Sequence, residues 1–269
     1  TYFNAADGFN LPMLLLTGIV FFTGVLTMWE LDYRVKEFYA FYFIMVTAVF
    51  GLFMSMDLFF IFIWYDVSLF PMYLLIVVWG TTRKEYGAMK LTLYLLAGSA
   101  LVLPAIIYLF VQSGLNTFDV TVLMRPGTFT PLQQKFAFIL LYIGFGILAG
   151  VWPFHTWSPV GHVAAPHAVS MVHAGVLMKI GAFAVLRVAI FICPQGWQHW
   201  AQLMAVLATI GIVTFNLRYI PATVKNSGNV TVLLGKSNGM YHIIIDPGEA
   251  GKIVIDIRLR HFLPNIELF

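Results

Sequence analysis

Apolar runs close to twenty residues long, separated by short polar stretches, fill the first four-fifths of the chain. A membrane-spanning helix needs about 20 such residues. The runs predict spans at residues 10–29, 38–56, 58–80, 91–112, 136–152 and 167–192, with a shorter one at 200–216. Little more than Asp57 separates the second from the third, so those two helices must be antiparallel neighbours. The predicted fold class is an all-α polytopic membrane protein of about seven transmembrane helices, one of them broken.

The break is expected between residues 147 and 187. Membrane-grade sequence there is interrupted by Pro153, Pro159 and Pro166 and by His155, His162, His167 and His173, and Lys179 follows in an apolar run. Proline fixes φ and removes a backbone donor, so a helix reaching Trp152 should stop and restart after Pro166. Pro71, inside the third predicted span, is grouped with these three as a break residue. Irregular backbone at membrane depth is tolerated where it is buried in protein or lines a cavity, and an ionisable group beside it is a candidate for ion handling.

After Asn216 the pattern changes. Charges become frequent, and the β-branched runs 230–234, 241–245 and 253–257 are bounded by turns, which reads as short strands. The expected division is a transmembrane helical part at 1–216 and a polar tail at 217–269, β-rich or irregular. The tail is either a small extramembrane appendage or an end foreign to the rest, produced by truncation, fusion or a frame change. The second is preferred, because so short a tail holds little core of its own. The chain begins at Thr1 and shows no cleavable signal, and it is expected to be a fragment.

Composition agrees with the pattern: 60% of residues are hydrophobic and 10% are charged, against roughly 25% charged in soluble domains. The net charge of +3 offers no nucleic-acid footprint. The basic residues instead orient the spans. Arg34, Lys36, Arg83, Lys84 and Lys90 fall on one side, which is expected to be cytoplasmic, with the N-terminus outside. One cysteine, Cys193, excludes a disulfide framework and an all-cysteine metal or iron–sulfur site. No phosphate-binding loop, GxGxxG or CxxC is present, so the chain should bind no nucleotide, flavin or iron–sulfur cluster.

Asp66 and Lys179 carry the candidate chemistry. A charge at bilayer depth costs at least ~2.5–3.5 kcal/mol, so Asp66 should face a partner or water. The alternative is that its span ends near Trp64 and Asp66 caps a restart before Pro71. Asp57, between two spans, reads as a solvated loop acid. Lys179 lies far from both ends of its span, and a buried lysine beside a carboxylate can take up and release a proton. The alternative is a static ion pair. Arg187, near the helix end, reads as an interfacial anchor. The histidine spacings do not suit a helical metal site. His155, His162 and His173 are either proton-relay groups or partners for backbone freed at the break.

Two stretches resemble the antiporter-like membrane subunits of respiratory complex I, the proton-translocating NADH:quinone oxidoreductase, most closely its chain-M type. DVSLFPMYLLIVVWG, residues 66–80, is similar to that family's fifth helix, with Asp66 five positions before Pro71. PFHTWSPVGHVAAPHAVSMVHAGVLMKIGAFAVLR, residues 153–187, resembles the family's P-x-H-x-W-L-P-D-A-H run and its lysine-bearing helix. The motif positions are His155, Trp157, Pro159, His162, Pro166, Lys179 and Arg187, and the likeness covers about residues 8–214.

The resemblance implies a subunit of about fourteen helices in two inverted repeats, of which this chain would supply helices three to nine. It departs from the pattern at Asp66, where the family has glutamate, and at Leu148, where it has lysine. Val160 and Gly161 replace Asp-Ala, and His167 replaces threonine. The implied function is proton translocation coupled to NADH oxidation and quinone reduction, with NADH, FMN, iron–sulfur clusters and quinone all held by other subunits. Proton transfer would run through Asp66, Lys179, His155, His162 and His173. The implied partners are other membrane-arm subunits in a bilayer, in a bacterial inner membrane. The rival readings are a subunit of a multi-subunit cation/proton antiporter or membrane-bound hydrogenase, and a scaffold that pumps nothing.

Overall fold

The structure, a computed structural model, describes residues 3–218, 231–237, 240–246 and 253–257, with side chains through residue 212. The backbone divides into two compact units, residues 1–200 and 201–269.

The first unit is helical. It contains α1 (Leu11–Thr27), α2 (Val35–Met54), α3 (Leu58–Trp79), α4 (Lys84–Ser113), a single turn α5 (Val120–Leu123) and α6 (Pro131–Ala149). A 3₁₀ turn at Phe154–Thr156 leads into α7 (Trp157–Ala164). One long helix follows, made of α8 (His167–Val172), a wide π turn at His173–Leu177, α9 (Met178–Ala184) and a second π turn at Val185–Ile190. α10 (Pro194–Arg218) contains the expected seventh span, residues 200–216, in its later part. Among the described residues five segments are long and apolar enough to cross a membrane, the fourth being Pro131–Ala164 and the fifth His167–Ile190; α1 is apolar and slightly shorter. The membrane part is all-α, and the chain is a multi-pass integral membrane protein.

Local sequence explains the helix ends. Asp57 is not a free loop acid: its Oδ1 accepts from the Phe59 and Phe60 N–H groups at 2.9 and 3.2 Å and caps α3. Thr130 and Gln133 form a capping box at α6, with Thr130 N–H donating to Gln133 Oε1 at 2.8 Å. As expected, α2 and α3 pack antiparallel across the short link at 55–57.

Apolar surface gives no drive to associate inside a bilayer, so helices there pack through small residues. α4 and α6 cross at Gly98 and Gly144, where a Cβ on Gly98 would sit 2.8 Å from the Gly144 carbonyl oxygen. Gly181 meets α6 similarly, its Cβ position lying 2.4 Å from Ala149 N.

In the second unit β1 (Thr231–Ser237), β2 (Met240–Asp246) and β3 (Ile253–Ile257) form an antiparallel sheet in the order β1-β2-β3. Val232 pairs with Ile245, and Ile243 with Ile255.

Candidate functional site

The break falls earlier than proline content suggests, and the backbone within it is mostly helical. α6 ends at Ala149, where Gly150 takes a left-handed φ of 73°. Glycine carries no Cβ penalty there, so the helix ends on its C-terminal cap, before any proline. Pro159 does not break α7. It is the third residue of that helix, where the missing N–H would have had no partner anyway. Pro166 does mark a restart, just ahead of α8. Pro71 marks none, since α3 continues through it.

α7 is docked at both ends. The Trp157 indole Nε1–H donates to the Ile147 carbonyl at 3.0 Å, one of the carbonyls left by the end of α6. At the far end Thr81 N–H donates to the Ala164 carbonyl at 3.0 Å, which places that end beside the basic loop between α3 and α4. Thr156 Oγ1 meets Tyr94 Oη at 3.1 Å across the break.

Three rings stack behind α7. The His162 and His173 centroids lie 4.1 Å apart and nearly parallel, and Trp157 covers the other face of His173 at 5.1 Å. His162 Nδ1 bonds Ser170 Oγ at 3.0 Å, while His173 is buried. A Cβ on Gly161 would come within 2.7 Å of Leu91 Cδ1 and would meet His173 Cε1 at an ordinary 3.5 Å, so the Gly-for-Ala departure leaves room for Leu91 against α7.

Lys179 follows the first wide turn, in which the Met178 N–H bonds the His173 carbonyl five residues back. Its ammonium donates to the Ala174 carbonyl. The side chain is exposed in this chain taken alone, not enclosed as its central sequence position suggested. Asp66 is half-buried, with the Ser99 side chain beside it. Asp66 and Lys179 do not form an ion pair; the ion pairs among the described residues are Arg34–Glu37 and Asp7–Arg187. They do share a depth. At 1.5 Å per residue, Lys179 is about 18 Å from the start of α8, and Asp66 about 20 Å from the end of α3 on the same side. His173 is about 9 Å in by the same measure.

His155 stands half-buried on the 3₁₀ turn, His167 is exposed, and Leu148 is fully buried. Among the described residues no group of three or more His, Cys, Asp or Glu could hold a metal ion.

Arg187 is not an interfacial anchor. It is buried, donates to Asp7 Oδ2 at 2.5 Å through Nη1, and sets Nη2 2.7 Å from Met56 Sδ. Asp7, Ser99, Ser170 and the Tyr94–Thr156 pair were not singled out in the sequence. Only Asp7 carried any signal, as an acid just before the first span.

The transmembrane family described as NADH:quinone oxidoreductase/Mrp antiporter matches residues 55–221. A relative from Synechocystis sp., "NAD(P)H-quinone oxidoreductase chain 4-2", is 32% identical over 209 residues, covering 78% of this chain and 37% of its own length. A "chain 4 2" from Trichodesmium erythraeum is 34% identical over 214 residues, covering 78% and 37%. Among solved structures, a chain of respiratory complex I from Thermus thermophilus superposes with a TM-score of 0.67 at 25% identity, over 74% of this chain and 42% of that one. A chain of the Mrp complex from Dietzia sp. shares the fold, with a TM-score of 0.62 at 20% identity over 71% and 36%. The chain thus spans well under half the length of these relatives. With the family model matched over more than half of the chain, and relatives above 30% identity covering 78% of it, the chain belongs to the NADH:quinone oxidoreductase/Mrp antiporter transmembrane family.

Proposed function

We propose that the chain forms part of an antiporter-like membrane-arm subunit that moves protons across a bacterial inner membrane, driven by oxidation of NADH or an equivalent donor and reduction of quinone in partner subunits. NADH, FMN, the iron–sulfur clusters and quinone belong, in this reading, to those other subunits. The observation that carries it is the descent of titratable groups from the basic-loop face to mid-membrane: His162 and His173 first, then Lys179 and Asp66. In this scheme a proton enters by the stacked imidazoles. Two positive imidazolium rings stacked with centroids 4.1 Å apart repel, so the pair holds one proton at a time. His155, beside the break, is the remaining candidate relay. Because Asp66 and Lys179 are not in contact, the acid acts on the lysine across space, and a movement that changes their separation would release the proton.

We take residues 1–216 as the family part and 217–269 as a tail outside it; the family match ending at residue 221 supports this division. Two rivals remain. The shared fold with the Mrp complex chain supports a cation/proton antiporter subunit, and buried Leu148, where the resembled family has lysine, supports a scaffold. The test is Lys179→Ala in the assembled complex. Protons moved per electron should fall sharply while the complex stays assembled. Unchanged pumping refutes the reading and favours the scaffold.

A further inference from the structure

Phe183, Arg187 and Phe191 follow one another at intervals of four along the helix that carries Lys179. In a regular α-helix each such step drifts about 40°, so the first and last would point about 80° apart. Yet all three meet the segment before α1. Phe9 stacks on Phe183 at 5.3 Å and meets Phe191 edge-on at 6.3 Å, while Asp7 pairs with Arg187 between them. The wide turn at Val185–Ile190 is what aligns them, since a π turn takes more residues per revolution and cancels the drift.

The receiving segment is held firmly. The Asp7 carboxylate accepts from the Phe9 and Asn10 N–H groups at 3.1 Å each. Asn10, fully buried, donates through Nδ2 to the Ala5 carbonyl at 2.9 Å and to the Phe53 carbonyl at 2.8 Å, tying the knot to the end of α2. Lys179 lies two turns before Arg187 on α9, between the two wide turns. Where a wide turn sits decides which way the residues beside it face, and helix register shifts occur on microsecond to millisecond timescales.

We propose that Asp7 is a positioning residue for Lys179: its ion pair with Arg187 pins the second wide turn and thereby sets the direction in which α9 presents the lysine. The inference rests on the reading of Lys179 as a proton carrier. Without the pair, the buried guanidinium loses its counter-charge, the wide turn is free to move, and α9 rotates with it.

The test uses the full chain in its native complex, with Cys193→Ser and Lys179→Cys providing a reporter thiol. Alkylation by N-ethylmaleimide is timed in membranes. Adding Asp7→Asn should change the rate severalfold, Asp7→Glu should leave it close to the parent, and the charge exchange Asp7→Arg with Arg187→Asp should restore it. An unchanged rate with Asp7→Asn overturns the proposal. If Asp7→Asn does not assemble, Arg187→Gln is read in the same way: an altered rate supports the clamp and an unaltered rate overturns it. In the chain that retains Lys179, Asp7→Asn should also shift the pH profile of pumping, which a merely structural loss would only scale down. Normal pumping in Lys179→Ala would sink the proton reading while leaving the alkylation result standing, so the two failures are distinguishable.

Discussion

Replacing Trp157 by phenylalanine tests whether the indole docks α7 after the break. Trp157 is fully buried, and its Nε1–H reaches the Ile147 carbonyl at 3.0 Å. Phenylalanine keeps an aromatic face for His173 but loses the donor and one of the fused rings. The Ile147 carbonyl also accepts from the Gly150 N–H at 3.1 Å, so it is not left bare. The hydrogen-bond loss therefore belongs at the low end of the usual range, about 1 kcal/mol. The space vacated by the smaller ring adds about 1–2 kcal/mol as a cavity in a packed site. Together they give about 2–3 kcal/mol, more than a tenfold change in the unfolding equilibrium. Equilibrium unfolding of the purified chain in mixed micelles, titrated with a denaturing detergent, would measure it. Trp29→Phe, on a strongly exposed side chain, serves as the control and should stay within about 0.5 kcal/mol. Equal stability of Trp157→Phe and the parent would show that the indole bond does not hold α7 in place.

Two further outcomes follow from the packing and the ion pair. Gly181→Val should destabilise by about 1–3 kcal/mol or prevent assembly, because its Cβ would lie 2.4 Å from Ala149 N and 2.7 Å from the Phe145 carbonyl oxygen; normal assembly and melting would refute the close contact. Asp7 lies outside the spans. Burial works against its charge, but the Arg187 hydrogen bond and the Asn10 and Phe9 N–H groups prevail and hold the carboxyl below its ordinary value. A depressed carboxylate stabilises the fold at pH above its unfolded value of about 3.9, and that contribution is lost as pH falls through the folded value. Asp7→Asn should thus lower stability at neutral pH, with the difference shrinking on acidification below about pH 4. A difference constant across that range would refute the pairing.

The spans and the place of the break to within a few residues were legible in the sequence, because each depends on local composition. Apolar length alone decides whether a segment can cross a bilayer, and residues 35–54 and 58–79 obey it with no help from their neighbours. The β-branched runs in the tail likewise marked the strands. What the sequence misplaced was set by contacts between distant segments. Arg187 looked like an interfacial anchor because position along a helix says nothing about Asp7, 180 residues away. Ser99 and Ser170 looked like ordinary small residues, since nothing nearby marks a serine that will face an acid or an imidazole on another helix.

The break shows the division most clearly. Three prolines announced an interruption, and proline chemistry is local enough for that. They did not decide where the helix ends, because Gly150 supplies a left-handed cap three residues before Pro153. Nor did they make the middle irregular: α7 forms because its last carbonyl meets Thr81 and its first indole meets Ile147. The sequence by itself determined that a charged residue would follow a broken helix inside a membrane. Only the tertiary structure decided that His162 and His173 stack behind it, that Asp66 stands at the same depth without touching Lys179, and that a distant carboxylate holds the same helix by Arg187. Burial and hydrogen-bond satisfaction fix those relations, and both are properties of the packed helices together.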